Sequence, residues 1–324
     1  MNRFRPSGVW VFILRRLLLG IVVLILVSFL VFLATQALPG DPARAILGRS
    51  ATPASLAALR RQLHLDQPVI SQYWTWVTGL LHGNLGRSLA AQEPVTTLLS
   101  PRLVNSAVLV AIAAVLSIPL SIAIGAWAAF KREKVFDTVS SNLLLVLAAL
   151  PEFVVAVVLV IFFATTVFHV LPAISTVAPG SRPWNNWTAL VLPILTLVIA
   201  VAPYVARIMR ASMIEVLESD YVEMARLKGL PERTVLLRHA LPNALGPVFQ
   251  VIALNLAYLA GGIIVVEFVF NYTGIGSAIQ EAVINHDLPV IQALAMLIAA
   301  VYVVLNLLAD VATILVTPRL RTRL

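Results

Sequence analysis

Hydrophobic positions in this chain fall in six long blocks, at residues 11–33, 103–130, 139–168, 187–209, 244–269 and 290–316. Each block reaches the length of about 20 residues that carries a helix through a hydrocarbon core about 30 Å thick. Pro119, Pro151, Pro193 and Pro203 lie inside blocks whose flanks are too short to cross alone, so they predict kinks rather than ends. Two polar stretches separate the blocks most clearly. Residues 38–102 hold the turn-forming run Leu38-Pro-Gly-Asp-Pro42, a predicted helix over Pro53–Leu63, and the aromatic residues Tyr73, Trp74 and Trp76. Residues 220–242 form a shorter polar loop between the fourth and fifth blocks. The pattern predicts an all-α integral membrane protein, with six transmembrane helices in a single domain over residues 1–324. No repeat of the blocks in inverted order is visible, which counts against a one-chain secondary transporter.

The short polar loop carries its own helix signals. Asp220 is placed to act as N-cap, and Glu223 stands three residues on, where it can close a capping box. Gly229 predicts a left-handed stop, and Pro231 bars continuation. The expected helix is Tyr221–Lys228. Eight residues are marginal in water, where about 12–15 are needed, so something must hold the segment. Helical spacing puts Tyr221, Met224, Ala225 and Lys228 on one face, shaped as a plug for a groove on another protein. The alternative is an amphipathic helix lying on the membrane surface.

Composition narrows the chemistry. The chain is 60% hydrophobic and 12% charged, against about 25% charge in soluble domains. Its net charge of +8 is distributed by topology rather than as a nucleic-acid surface. Sixteen of the 23 Lys and Arg residues fall at the termini, at Lys131–Lys134 and from Arg207 to Arg238, all on one side of the six blocks. This predicts both termini and the 220–242 loop in the cytoplasm and the 38–102 loop outside. Arg15 and Arg16 precede the first block, which is longer than the apolar core of a signal peptide and reads as a retained span. Cleavage near Ala34–Ala37 is the alternative. The absence of cysteine excludes disulfides and thiolate metal sites, and the five histidines are scattered. A GxxxxGK[ST] phosphate loop is also absent, so ATP binding by that route is excluded.

Glu223, Ala225, Gly229, Leu241 and Pro242 have the spacing of the EAA loop of ABC importer permeases, although Met224 and His239 depart from the usual residues. Further pieces resemble the peptide and nickel branch of that superfamily, in its B-type permease form. They are Leu38-Pro-Gly-Asp-Pro42, Leu65-Asp-Gln-Pro68, Gln72-Tyr73, Gly83-Asn-Leu-Gly-Arg-Ser88, and Glu267-Phe-Val-Phe-Asn-Tyr-Thr-Gly-Ile-Gly276 with Asp287 and Pro289. Asn84 replaces a usual aspartate and Thr273 a usual proline. The resemblance implies a permease subunit of a dipeptide or oligopeptide importer in the cytoplasmic (inner) membrane. It implies a second homologous permease, ATPase subunits that dock on Tyr221–Gly229 and hold the ATP and Mg²⁺, and an external substrate-binding protein. A cofactor in this chain, a catalytic site and a nucleic-acid partner are not expected. A nickel importer of the same family and a stand-alone proton-coupled transporter are the alternatives.

Several polar groups fall inside the blocks, where they are costly and tend to face a cavity or a partner. Glu152, following Pro151, reads as a pathway group facing a substrate amino terminus, or as a carboxyl bonded within the bundle. Asp310, with Asn306 one turn before it, predicts an ion pair with a neighbouring helix. Glu267 predicts an external turn or gate rather than a binding group. Arg207 and Arg210 can snorkel to the inner interface. Tyr73, Trp74 and Trp76 read equally as a docking surface for the binding protein or as a belt at the lipid interface.

Overall fold

A computed structural model describes residues 6–37, 52–62, 66–178 and 180–316. Among these residues, eleven principal helices follow in chain order. They are α1 (Pro6–Ala37), α2 (Pro53–Gln62), α3 (Val69–Leu81), α4 (Val95–Phe130), α5 (Val135–Ala149), α6 (Glu152–Val160), α7 (Trp187–Leu217), α8 (Asp220–Leu227), α9 (Leu241–Val269), α10 (Ile275–Ile284) and α11 (Leu288–Val316). Among the described residues, four helices are long and apolar enough to cross a membrane, and two bent pairs bring the number to six if each pair is one span. The turn run Leu38–Pro42 and Leu65 of the second motif lie outside the described residues.

The third block departs from the predicted kink. Its two halves, α5 and α6, meet at 104°. Pro151 has no N–H to continue the ladder, and its ring pushes the residue before it out of the helical region. Leu150 accordingly takes φ −83° and ψ 128°, and its N–H closes α5 on the Leu147 carbonyl at 3.3 Å. The freed Ala148 carbonyl accepts from the Tyr204 hydroxyl at 3.1 Å. A wide π-turn, Ile161–Thr165, extends α6. Pro193 and Pro203, by contrast, stay inside α7, which is continuous. The second block also begins earlier than its hydropathy suggests, at Val95, because the mixed stretch Thr96 to Arg102 continues the same helix.

The chain divides into two compact units. Residues 1–17, 107–272 and 304–324 form one, and residues 18–106 with 273–303 form the other. In the first unit α7 is the central helix, with Leu192, Leu197, Val205 and Met209 fully buried among side chains of α4, α6 and α9. Gly125 of α4 lets that helix approach α7 closely. A Cβ there would stand 2.3 Å from the Ala206 carbonyl oxygen. Asp137 accepts two hydrogen bonds from Arg210, at 2.5 and 2.7 Å, together with one from the Glu133 amide and one from Ser141. Arg16 pairs with Asp310 at 3.1 Å, the ion pair that the sequence suggests for that aspartate.

In the second unit the predicted outer loop contains two helices of its own. Its core joins Val95, Leu99, Ala278, Ala282, Val290, Ala293 and Leu294. Asn105 donates to the Thr273 carbonyl at 2.7 Å, and the Ile275 amide donates to Ser106 at 2.9 Å. Gln292 donates to Thr35 at 2.8 Å.

Candidate functional site

The loop after α7 is built as a short, closed lever. Helix α8 runs Asp220–Leu227, one residue earlier than the sequence predicts. The predicted cap does not form. Ser219 is the N-cap, and its hydroxyl turns back to the Val216 carbonyl at 2.5 Å, so no side chain closes the first turn. Asp220 and Glu223 instead sit within that turn, where their charges complement the helix dipole. The far end follows the glycine signal. Gly229 has φ +75°, its amide donates to Arg226, and the Leu230 amide donates to Ala225. These are the two crossed bonds of a Schellman stop. Arg226 and Glu232 brace the turn with bonds of 2.8 and 3.3 Å.

Packing decides which face is offered. Val222 and Ala225 are buried against Val235, Val216 and Leu217. Ala225 therefore belongs to the anchoring face and not to the plug. The outward face holds Tyr221, Met224, Leu227 and Lys228, with Leu227 74% exposed. Leu227 is a residue that the helical wheel of the sequence alone leaves out. Leu241 and Pro242 stand apart from this face, at the head of α9, beyond a π-turn over Val235–Ala240. An ion pair between Arg132 and Glu218 ties the α4–α5 turn to the residue pair preceding α8.

A second constellation lies in the other unit. Asp287 is buried and gathers hydrogen bonds from the Ser88 hydroxyl, the Leu89 amide at 3.0 Å and the Ala90 amide at 3.2 Å. It thereby clips the Gly83–Ser88 segment to the turn before α11. Gly83 and Gly86 both have positive φ, and the Asn84 side chain accepts from the Gly86 amide at 3.0 Å. Two sequence motifs 199 residues apart thus form one clip. The aromatic cluster is partly spent within the chain. Tyr73 packs edge-on against Phe29 and Phe32 and bonds Ser28 at 2.9 Å, while Trp76 stacks on Phe32. Tyr73 and Trp76 are thus half-buried against α1. Trp74 stays 59% exposed.

Glu152 opens α6 immediately after the break. Its Oε1 atom is buried and has no hydrogen-bond partner. A Cβ on Gly262 of α9 would lie 2.7 Å from both carboxyl oxygens. Glu267, in the last turn of the same helix, is fully buried.

The family model for the binding-protein-dependent transport system inner membrane component matches residues 121–322, and its N-terminal companion matches residues 9–123. The chain belongs to this permease family. The permease is 37% identical over 312 residues to a protein of Sinorhizobium fredii named as a peptide ABC transporter permease, covering 96% of this chain and 99% of that one. It is 36% identical to the glutathione transport system permease protein GsiC of Salmonella choleraesuis, with 96% and 98% covered. It is 35% identical to a Brucella abortus protein named as a peptide transport system permease, with 95% and 98% covered. A solved amino acid ABC transporter shares the fold at TM-score 0.51 and 18% identity, covering 67% of this permease and 94% of that chain. The permease is thus the membrane subunit of an ABC importer, and its family works with ATPase and substrate-binding partners. A stand-alone proton-coupled transporter does not fit this membership.

Proposed function

We propose that this permease moves dipeptides or oligopeptides inward, driven by ATPase subunits that grip α8. The observation that carries the coupling half is the outward face of α8. Tyr221, Met224, Leu227 and Lys228 project from a helix whose other face is anchored by Val222 and Ala225 and whose end is locked at Gly229. An eight-residue helix held so firmly, with apolar side chains left uncovered, fits a groove on another protein. The peptide half rests on the names of the S. fredii, Brucella and Salmonella relatives, which also disfavour nickel as cargo. Both termini and α8 face the cytoplasm, following the Lys and Arg distribution. A second homologous permease completes the path, and an external binding protein delivers the peptide to the side bearing the Asp287 clip and Trp74. Hydrolysis of ATP belongs to the partner subunits; this chain supplies the path and the lever.

The test is co-purification and uptake. The tagged permease should bring ATPase chains with it, and membranes holding the complete system should accumulate labelled di- and tripeptides only with ATP and the binding protein present. Recovery without an ATPase, or ATP-independent uptake, would overturn the proposal.

A further inference from the structure

The break between α5 and α6 delivers a carboxylate into the span and leaves it incompletely bonded. A buried carboxyl oxygen without a partner costs about 1–3 kcal/mol. A group retained only for packing would have its oxygens satisfied, as Asp137 and Asp287 do elsewhere in the chain. Glu152 is held in place by its surroundings instead. It lies against the backbone of α9 at Gly262, where any side chain would displace it, while neighbouring Gly261 has nothing within 4 Å of its own Cβ position. One turn earlier on α9, the Tyr258 hydroxyl interacts with the same carboxyl.

The polar surface continues from there. Tyr258 is 52% exposed and Tyr204 45% exposed, and Tyr204 also pins the end of α5 through the Ala148 carbonyl. Tyr204 lines a groove of about 720 Å³ together with Ser141, Asn142, Arg207 and Asn255. The groove is lined from α5, α7 and α9, and Tyr204 in its wall holds the Ala148 carbonyl, four residues before Glu152 in the chain. The buried Oε1 of Glu152 is the open oxygen. That geometry suits a single N–H donor of an ammonium better than the two-pronged fork of a guanidinium.

We infer that Glu152, set by Gly262 and Tyr258, is the point on the translocation path that recognises the free ammonium group of the substrate. The inference rests on the peptide-import reading and adds to it a residue that selects by amino terminus. In the assembled transporter in proteoliposomes, with the binding protein held constant, Glu152→Gln should lower trialanine uptake by about tenfold or more, the worth of one hydrogen bond to a charged group. Uptake of N-acetyl-trialanine should stay within about twofold of wild type. Gly262→Ala, which leaves the carboxylate but moves it, should shift the same ratio in the same direction. A parallel fall for both peptides would mark Glu152 as structural and overturn the inference, and so would an unchanged ratio.

A second measurement stands apart from transport. Modification of Glu152 by a hydrophobic carbodiimide, followed by mass spectrometry on the permease–ATPase complex as loss of unmodified Glu152 so that N-acylurea and amine-captured amide are both counted, should be slowed by trialanine or butylamine and not by N-acetyl-trialanine. Equal rates with all three would overturn the ammonium site. If wild type takes up neither peptide, the peptide-import reading fails, and protection by butylamine then decides the ammonium site on its own.

Discussion

At the scale of single residues, Gly229 is the position where backbone geometry and proposed function coincide most closely. Nothing lies within 4 Å of a Cβ there, so a substitution meets no clash. The cost comes from φ +75°, which an L-residue other than glycine adopts at a penalty of about 1–2 kcal/mol, and more for a β-branched side chain. Gly229→Val should therefore leave membrane insertion and abundance unchanged while loosening the Schellman stop. The expected outcome is at least about a tenfold loss of ATP-driven uptake, since a lever displaced by one helical residue moves about 1.5 Å. Quantitative blotting of membranes beside uptake in vesicles checks both halves. Wild-type uptake would show that α8 is a surface helix and not the coupling element. Gly125 illustrates the opposite case. There the glycine is required by a neighbouring backbone atom and not by its own dihedral angle.

Individual elements are held by a few concentrated polar contacts. Asp137 is 5% exposed in its side chain and Arg210 30% exposed. Removing one partner of a fully buried pair costs about 3–5 kcal/mol, and the partial exposure of Arg210 brings the expectation for Asp137→Asn down to about 2 kcal/mol. The measurement is the thermal unfolding of the detergent-purified complex. Because Asp137 also holds the Glu133 amide in the α4–α5 turn, and Arg132 of that turn pairs with Glu218, the same variant should weaken ATPase retention on purification. In the other unit, Asp287→Ala removes three acceptor contacts at once from the Ser88–Ala90 turn. Faster amide exchange confined to residues 83–94, with ATPase binding intact and binding-protein-dependent uptake reduced, is the expected result. Unchanged exchange there would show that the clip is not held by this carboxylate.

At the scale of the whole molecule, the absence of cysteine makes orientation directly testable. Lys228→Cys in the outward face of α8 should react with an impermeant maleimide only in inverted vesicles. Glu93→Cys, exposed in the other unit, should react only in intact cells with permeabilised outer layers. Labelling of both from the same side would invert or break the six-span reading. Two units assembled from interleaved segments, rather than two consecutive domains, mean that α1, α4 and α11 each contribute to both.

Hydropathy by itself determined that the chain is helical and membrane-spanning, because a bilayer admits only segments that satisfy their backbone groups internally and are apolar over about 20 residues. Gly229 and Pro231 were legible for a similar reason, since a positive φ and a missing N–H are properties of one residue. The Asp220 cap was not, because Ser219 and the Val216 carbonyl compete for the same turn, and only the folded chain shows which contact wins. The burial of Ala225 and the exposure of Leu227 depended on where Val235 and Leu217 come to lie. Pro151 could signal a kink or a break, and the choice followed from an outside donor, Tyr204, that reaches a freed carbonyl. The joining of Ser88 to Asp287, of Tyr73 to α1 and of Glu152 to Gly262 was decided by tertiary structure alone, because residues distant in sequence meet only when whole helices pack.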